Sequence, residues 1–187
     1  ARKDKKPIEN ESKLENGVWL NVRETASNDG HMITVITDVT ERKNSAEMQT
    51  RLSSAIDSIP SHVMFWDKDE NLIKANELAI NENLSDGIKL NEGMSYSEFL
   101  ASQFAKKLYS VPKDFSVEKF VEKRLKERAE LTSKSTKVRY RNGKTVIRTE
   151  NKLDDGGILT ILNDVTDLEE KESQERLLTE AIDNMSH

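Results

Sequence analysis

The sequence predicts an α+β domain built on an antiparallel sheet, because strand-forming and helix-forming stretches are segregated along the chain. Two short strand-forming runs, 62–66 and 72–76, precede a helical region over 77–131. Three more strands are predicted after that region, at 136–141, 144–153 and 158–163. This order of strands, helices and strands is the first observation that fixes the fold class.

The turns and helix starts carry their own signals. Residues 67–71 form a polar turn between the first two strands, and Asn142-Gly143 is a strong signal for a two-residue hairpin. Ser97 is predicted to cap one helix, and Ser116 is predicted to cap a second helix over 117–131. The apolar stripe of that second helix is predicted to be Val117, Phe120, Val121 and Leu125.

One stretch of the chain occurs twice at a constant offset of 126 residues. Residues 38–57 read DVTERKNSAEMQTRLSSAID, and residues 164–183 read DVTDLEEKESQERLLTEAID. The same offset brings Asn16-Gly17 onto Asn142-Gly143 without a gap. We therefore expect a tandem module of this length, with the tail of one module, a complete second module and the first residues of a third.

Each repeat joins a strand directly to a helix through Asp-Val-Thr. Asp38 and Glu41 have capping-box spacing, and Asp164 and Asp167 repeat it more weakly. Thr40 and Thr166 can form local hydrogen bonds that stiffen the turn. Helix capping alone explains these residues; the functional interpretation is that Asp38, Thr40, Asp164 and Thr166 transmit a signal from sheet to helix.

The helices after this joint are highly charged and have a thin apolar seam. Met48, Leu52, Ala55 and Ile59 have coiled-coil spacing over two heptads, and Leu178, Ala181 and Met185 repeat part of it. The preceding strands, 32–36 and 158–162, are apolar on both faces, so a flanking helix or a partner subunit is expected to cover the outer face of the sheet.

The composition excludes several classes of protein. Charged residues make up 34 % of the chain and the net charge is −5, so a duplex nucleic-acid binder is not expected. No apolar run approaches the length that crosses a bilayer. Cysteine is absent, which excludes disulfides and thiolate chemistry. The chain does not begin with Met, so an internal fragment of a longer protein is expected. The expected location of that protein is the cytoplasm.

These features resemble the PAS family, the sensory modules of bacterial signalling proteins. The resemblance rests on the layout, on the strand-terminal Asp-Val-Thr, and on segments similar to those of a subgroup found in multi-PAS sensors: Asn16–Leu20, Glu92–Tyr96, Phe120–Leu125 and Asp155–Gly157. It implies a five-stranded antiparallel sheet with helices on one face and a small internal cavity. It also implies dimerisation through long charged connector helices that flank the domain, and signal output through the helix after the last strand.

The resemblance divides the chain into four parts. Residues 1–42 would be the C-terminal strands of an incomplete first PAS module, and 43–57 a helical connector. Residues 58–166 would be a complete PAS domain, and 167–187 a connector leading into the next module. The resemblance also implies a homodimer, with a downstream output domain in the same chain.

No cofactor is evident from the residues. Flavin-binding members that react with light use a Cys, which this chain lacks, and haem-binding members use a His that has no counterpart in 113–135. No spacing indicates a metal site. A ligand pocket between sheet and helices would be lined by Phe65, Phe99, Phe120, Ile147 and Ile161, although the same residues serve equally as ordinary core.

Three functions remain open from the sequence. The first is a non-catalytic sensory and relay segment of a multi-PAS signalling protein, whose parent chain would carry a histidine kinase, diguanylate cyclase or nucleotide cyclase output. The second is the input region of a histidine kinase, in which Asn-Met-Ser-His ends at the phosphoacceptor His187. The third is a ligand-free dimerisation spacer. The register of the repeat favours a third PAS module over a phosphoacceptor at the last residues.

Overall fold

The computed structural model describes residues 8–27, 29–81, 87–112 and 115–185, and divides the chain into two compact units, Ala1–Ala55 and Ile56–His187. Eight strands and five helices are formed within these described ranges. The strands are β1 (Ile8–Lys13), β2 (Trp19–Ala26), β3 (Met32–Asp38), β4 (His62–Trp66), β5 (Leu72–Ala75), β6 (Ser133–Arg139), β7 (Thr145–Lys152) and β8 (Ile158–Asp164). The helices are α1 (Thr40–Asp57), α2 (Glu77–Asn81), α3 (Tyr96–Ala105), α4 (Val117–Ala129) and α5 (Thr166–Met185).

The first unit is a three-stranded antiparallel sheet in the order β1-β2-β3, followed by α1 up to Ala55. Its last strand is exposed on both faces among the described residues: Ile33 is 53 % exposed on one face and Ile36 is 62 % exposed on the other. The apolar character that the sequence gives to this strand is therefore not matched by burial within the unit.

The second unit contains a five-stranded antiparallel sheet in the order β5-β4-β8-β7-β6. Residues opposite each other in antiparallel strands share a face, so Met64, Thr160 and Glu150 point to one side of the sheet. Leu162 and Arg148 point to that same side. This inner face meets helices α2 to α4 and forms the core.

The core of the second unit is built around aromatic side chains. Trp66 is fully buried and packs edge-on against Tyr96, with 5.0 Å between the ring centroids. Leu100 of α3 and Phe120 of α4 are buried against the same cluster. A Cβ on Gly157 would lie 2.6 Å from the Trp66 carbonyl oxygen, so only glycine allows β8 to start this close to β4.

Several sequence predictions of these elements are confirmed. The Asn142-Gly143 turn joins β6 to β7 with Gly143 at φ +92°, a conformation that favours glycine. Its loop has three residues and not the predicted two, because the Tyr140 amide donates to the Lys144 carbonyl. Ser116 caps α4 by accepting a hydrogen bond from the Lys119 amide. The predicted cap at Ser97 was wrong by one half-turn: Ser95 caps α3, and its hydroxyl and the Glu98 carboxylate form a complete capping box.

The repeat seen in the sequence is also a repeat of structure. Strands β7 and β8 begin and end 126 residues after β2 and β3, and α5 begins 126 residues after α1. The pairing register is preserved as well, since Leu20 lies opposite Asp38 as Val146 lies opposite Asp164. The two units therefore share one strand–strand–helix arrangement.

Candidate functional site

The start of α5 is tied to the beginning of β7 by a compact set of hydrogen bonds. Asp164 Oδ1 accepts from the Thr166 amide at 3.0 Å, and Thr166 Oγ1 accepts from the Thr145 amide, also at 3.0 Å. The Val165 amide donates to the Thr145 carbonyl at 2.9 Å. Both backbone groups of Thr145 are thus bonded to the joint, so α5 cannot shift at its start without disturbing β7.

The same joint is formed at the start of α1. Asp38 Oδ1 accepts from the Thr40 amide at 2.9 Å, and Thr40 Oγ1 accepts from the Trp19 amide at 2.8 Å. The Val39 amide donates to the Trp19 carbonyl at 2.9 Å. Hydrogen bonds from the Thr40 hydroxyl and then from the Thr40 amide hold the pKa of Asp38 below its usual value.

The joint differs from the capping box that the sequence predicts. The Asp carboxylates accept from the amide two residues later, whereas a capping box bonds the amide three residues later. The helices begin at Thr40 and Thr166, so each Asp lies before the cap position itself. The Asp fixes the turn, and the Thr hydroxyl makes the bond between helix and sheet.

An ion pair adds a second attachment between each sheet and its helix. In the first unit Glu11 of β1 pairs with Lys43 and Arg42 of α1. In the second unit Lys137 Nζ of β6 lies 2.6 Å from Glu169 Oε1 of α5. Positions 11 and 137, and positions 43 and 169, are equivalent in the repeat, so the pair is kept with its charges exchanged.

Sequence reasoning missed this ion pair. A comparison of the repeats could have shown it, because residues 11 and 43 have opposite charges and so do residues 137 and 169. Hydrogen bonds from Lys43 and then from Arg42 hold the pKa of Glu11 below its usual value. We refer to the Glu11–Lys43 and Lys137–Glu169 pairs as the edge-strand ion pairs, because β1 and β6 are the outermost strands of their sheets.

A buried cluster of charges lies inside the second unit. Arg128 is 1 % exposed, and its Nε donates to both carboxylate oxygens of Glu70, at 3.0 and 2.9 Å. Its Nη1 donates to Glu150, which also accepts from Arg124 Nη2 at 3.0 Å. The Arg128 guanidinium lies 3.8 Å from the centre of the Tyr96 ring.

The protonation of Glu150 follows from its surroundings. Burial by itself would raise the pKa of this carboxyl, but the charges of Arg148, Arg124 and Arg128 outweigh burial and lower it. Glu150 is therefore a carboxylate held by three arginines in the core, an arrangement that the sequence did not predict.

Neither a metal site nor a membrane-spanning helix is found among the described residues. Among the described residues, no group of three His, Cys, Asp or Glu side chains is arranged to hold a metal ion. No helix in the described part of the chain is both long and apolar enough to cross a membrane.

The family model described as the PAS fold matches residues 56–174, which is more than half of the chain. The chain belongs to the PAS family. The predicted resemblance and the predicted α+β fold with a five-stranded antiparallel sheet are thereby confirmed. The PAS domain is a sensory module, not a catalytic one.

Two solved PAS structures are among those to which the chain is similar. The chain is similar to the PAS domain of an HTR-like protein from Haloarcula marismortui, with 18 % identity, a TM-score of 0.38, and coverage of 66 % of this chain and 97 % of that one. It is also similar to the PAS domain of BvgS from Bordetella pertussis, with 15 % identity, a TM-score of 0.41, and coverage of 75 % and 98 %. No curated protein matches the chain.

The PAS domain encloses a cavity of about 10 Å³ between its sheet and its helices, which is room for about one water molecule. Its lining includes Trp66, Phe99, Gln103, Tyr109, Tyr140 and Arg148. The Tyr109 hydroxyl donates to Gln103 Oε1 at 2.8 Å, and burial raises the pKa of Tyr109.

The structure brings together only part of the predicted pocket. Phe99 lines the cavity, and Phe120 is buried in the surrounding core. Phe65, Ile147 and Ile161 alternate with inward residues along their strands and lie on the outer face of the sheet, half-buried. His187, the predicted phosphoacceptor, lies outside the described residues.

Proposed function

We propose that this chain is a sensory and relay segment of a signalling protein, in which each PAS sheet passes a conformational change to its outgoing helix through the Asp-Val-Thr joint. The observation that carries the proposal is the duplicated joint: Thr166 bonds the start of β7 and Thr40 bonds the start of β2 with the same atoms. Two helices held in this way respond to a shift of the strand to which they are bonded, β2 for α1 and β7 for α5.

The proposed relay needs an outgoing helix whose rotation changes the activity of the output domain. Helices α1 and α5 have 18 and 20 residues, and the larger apolar residues of their predicted seams are exposed: Met48, Leu52 and Leu178 are each more than half exposed. We infer that these residues pair with a second copy of the chain, so that a homodimer carries the signal through paired helices.

The first unit fits this proposal as the end of another PAS module. Its strands and joint repeat those of the PAS domain at the same offset, whereas Met32 and Ile36 are exposed where the equivalent Ile158 and Leu162 are each 4 % exposed. The apolar inner face of β3 would be covered in a complete module as β8 is covered by α3 and α4.

A length series tests the relay. The chain is fused through α5 to the catalytic core of a histidine kinase, and one residue or a full heptad of seven is inserted after Arg176. A one-residue insertion turns the helix face by about 100° and is expected to change kinase activity, whereas a heptad returns the seam close to its original phase. Equal effects of the two insertions would contradict the relay.

The fused kinase also separates the relay from the dimerisation spacer. In a relay, Thr166→Val is expected to change the basal kinase activity while the fusion stays dimeric by light scattering. A spacer without signalling would keep the same activity in this variant, and loss of the dimer in Thr166→Val would mean that Thr166 supports dimer stability and not a relay.

A further inference from the structure

Helix α4 has its polar and apolar stripes in an unusual arrangement. Phe120, Arg124 and Arg128 recur every four residues and are buried, at 7 %, 7 % and 1 % exposure. The apolar residues Val117 and Val121 lie on the neighbouring stripe and remain half-buried at the surface. An amphipathic helix ordinarily turns its apolar stripe fully to the core and its arginines to solvent. Val121 and Leu125 pack only partly against the core, so the side of this stripe that stays exposed needs another explanation.

The exposed stripe forms one wall of a groove between α3 and α4. Val117, Val121 and Leu125 line it from α4, and Ser97 and Ala101 line it from α3. The small α3 side chains leave a volume of about 530 Å³ that is open to solvent. We call this surface the α3–α4 groove.

The groove continues over the outer side of α3. A second depression of about 490 Å³ shares Glu98 and Ala101 with it and extends to Met94 and Ser102. The apolar floor belongs to the α3–α4 groove, and the adjoining depression is more polar, with Asn91, Glu98 and Ser102 in its lining. The groove runs along the Val117, Val121 and Leu125 stripe of α4, which suits an elongated ligand.

The rim of the groove is acidic. Glu98, Glu118 and Glu122 border it, and among the residues that line it no Lys or Arg is found. Lys126 reaches Glu122 from the next turn of α4 at 2.7 Å, which compensates one of the three carboxylates. An apolar floor with a carboxylate rim is complementary to an apolar stripe flanked by cations.

We propose that the α3–α4 groove binds a cationic amphipathic helix of a partner protein. Apolar residues at i, i+4 and i+7 of that helix lie along Val117, Val121 and Leu125, and its Lys or Arg side chains reach Glu98 and Glu118. The binding surface lies on the helical side of the PAS domain and does not involve the Asp-Val-Thr joint, so it is separate from the proposed relay.

The test uses the 187-residue chain and a fluorescent helical peptide of Leu and Lys, about 18 residues or five turns long. A second peptide of the same composition has its Leu residues scattered around the helix. Fluorescence anisotropy gives both affinities, and amide chemical shifts show where the peptide binds. The expected result is at least about tenfold tighter binding of the peptide with a stripe, with shifts at Ala101, Val121 and Leu125.

Matched variants separate the groove from general attraction between opposite charges. Glu118→Lys is expected to weaken binding about tenfold or more, whereas Glu47→Lys, the same charge change on exposed α1, leaves it within about twofold. Ala101→Phe fills the groove without adding charge and is expected to abolish the preference for the striped peptide. The melting temperature of Ala101→Phe is measured as a control that the domain is still folded.

Three results would overturn the proposal. Equal affinity for the two peptides would mean that the groove does not recognise the apolar stripe. An equal loss of affinity in Glu118→Lys and Glu47→Lys would mean that the peptide is attracted by net charge alone. Self-association of the chain that is lost in Ala101→Phe would assign the groove to a second copy of the chain instead of a partner helix.

Discussion

Lys137 Nζ on β6 lies 2.6 Å from Glu169 Oε1 in the first turn of α5, and the equivalent residues of the first unit, Glu11 and Lys43, form the same contact with opposite charges. The pair has therefore been kept while both partners exchanged sign. A contact that survives this exchange depends on attraction between the strand and the helix, and not on the identity of either residue.

Reversal of one charge in this pair is the first prediction. Lys137→Glu should place two carboxylates together and loosen the first turn of α5, whereas Lys137→Glu with Glu169→Lys should restore it. Lys137 is 56 % exposed, so screening by solvent limits the effect to about 0.5 kcal/mol. Amide hydrogen exchange in α5 measures this change, and Lys134→Glu on the same exposed strand provides the control. Failure of the double variant to recover would mean that the pair does not attach the helix.

The Thr hydroxyl at the joint provides the second prediction. Thr166→Val removes the acceptor of the Thr145 amide, and an amide without its partner in this part-buried position should cost about 1 kcal/mol in the free energy of unfolding. Thr166→Ser keeps the hydroxyl and should cost less. Urea unfolding gives both values, and Thr179→Val, which loses only a bond to the Glu175 carbonyl in the same helix, is the control. Equal destabilisation by Thr166→Val and Thr179→Val would mean that the hydrogen bond from the Thr145 amide to Thr166 does not stabilise the joint more than an ordinary helix bond.

The third prediction concerns the buried charges. Arg128→Met leaves Glu70 and Glu150 without their shared partner in the core, which should cost about 3–5 kcal/mol in the free energy of unfolding. Lys126→Met on the exposed side of the same helix should change it by less than about 0.5 kcal/mol. Urea unfolding of both variants decides the matter. Similar midpoints for the two would show that the cluster contributes little to stability.

Local features of the sequence were sufficient for most of the fold. The Asn142-Gly143 hairpin and the Ser116 cap depend on residues within a few positions of one another, so they can be read directly. The cap of α3 could also have been placed correctly, because Glu98 lies three residues after Ser95 and not after Ser97. Strand alternation likewise indicated that Phe65 points away from Met64 and Trp66.

The buried charges could not be predicted in the same way. Arg128 meets Glu70 across 58 residues of sequence and Glu150 across 22, so its partners are known only once the sheet and α4 are assembled. A stripe that carries Arg124 and Arg128 is typical of a solvent-exposed helix face, so no local feature indicates that these arginines are buried. The predicted apolar stripe does contribute to the core, since Phe120 is buried and Val121 and Leu125 pack partly against it, but the remaining surface of Val121 and Leu125 is left to line the α3–α4 groove.

Glu150 also determines how the stability of the PAS domain responds to acid. Its pKa in the folded state lies below the usual value of 4.5, so its contribution to stability is present above that pH and is lost as the pH falls through the folded-state pKa. Between about pH 5 and pH 3 the wild type should therefore lose more unfolding free energy than Glu150→Gln, which has no carboxyl to protonate. Urea unfolding across this range gives the two slopes, and Glu130→Gln, at an exposed site after α4, should keep the slope of the wild type. A Glu150→Gln slope as steep as that of the wild type would mean that other carboxyls govern the acid response.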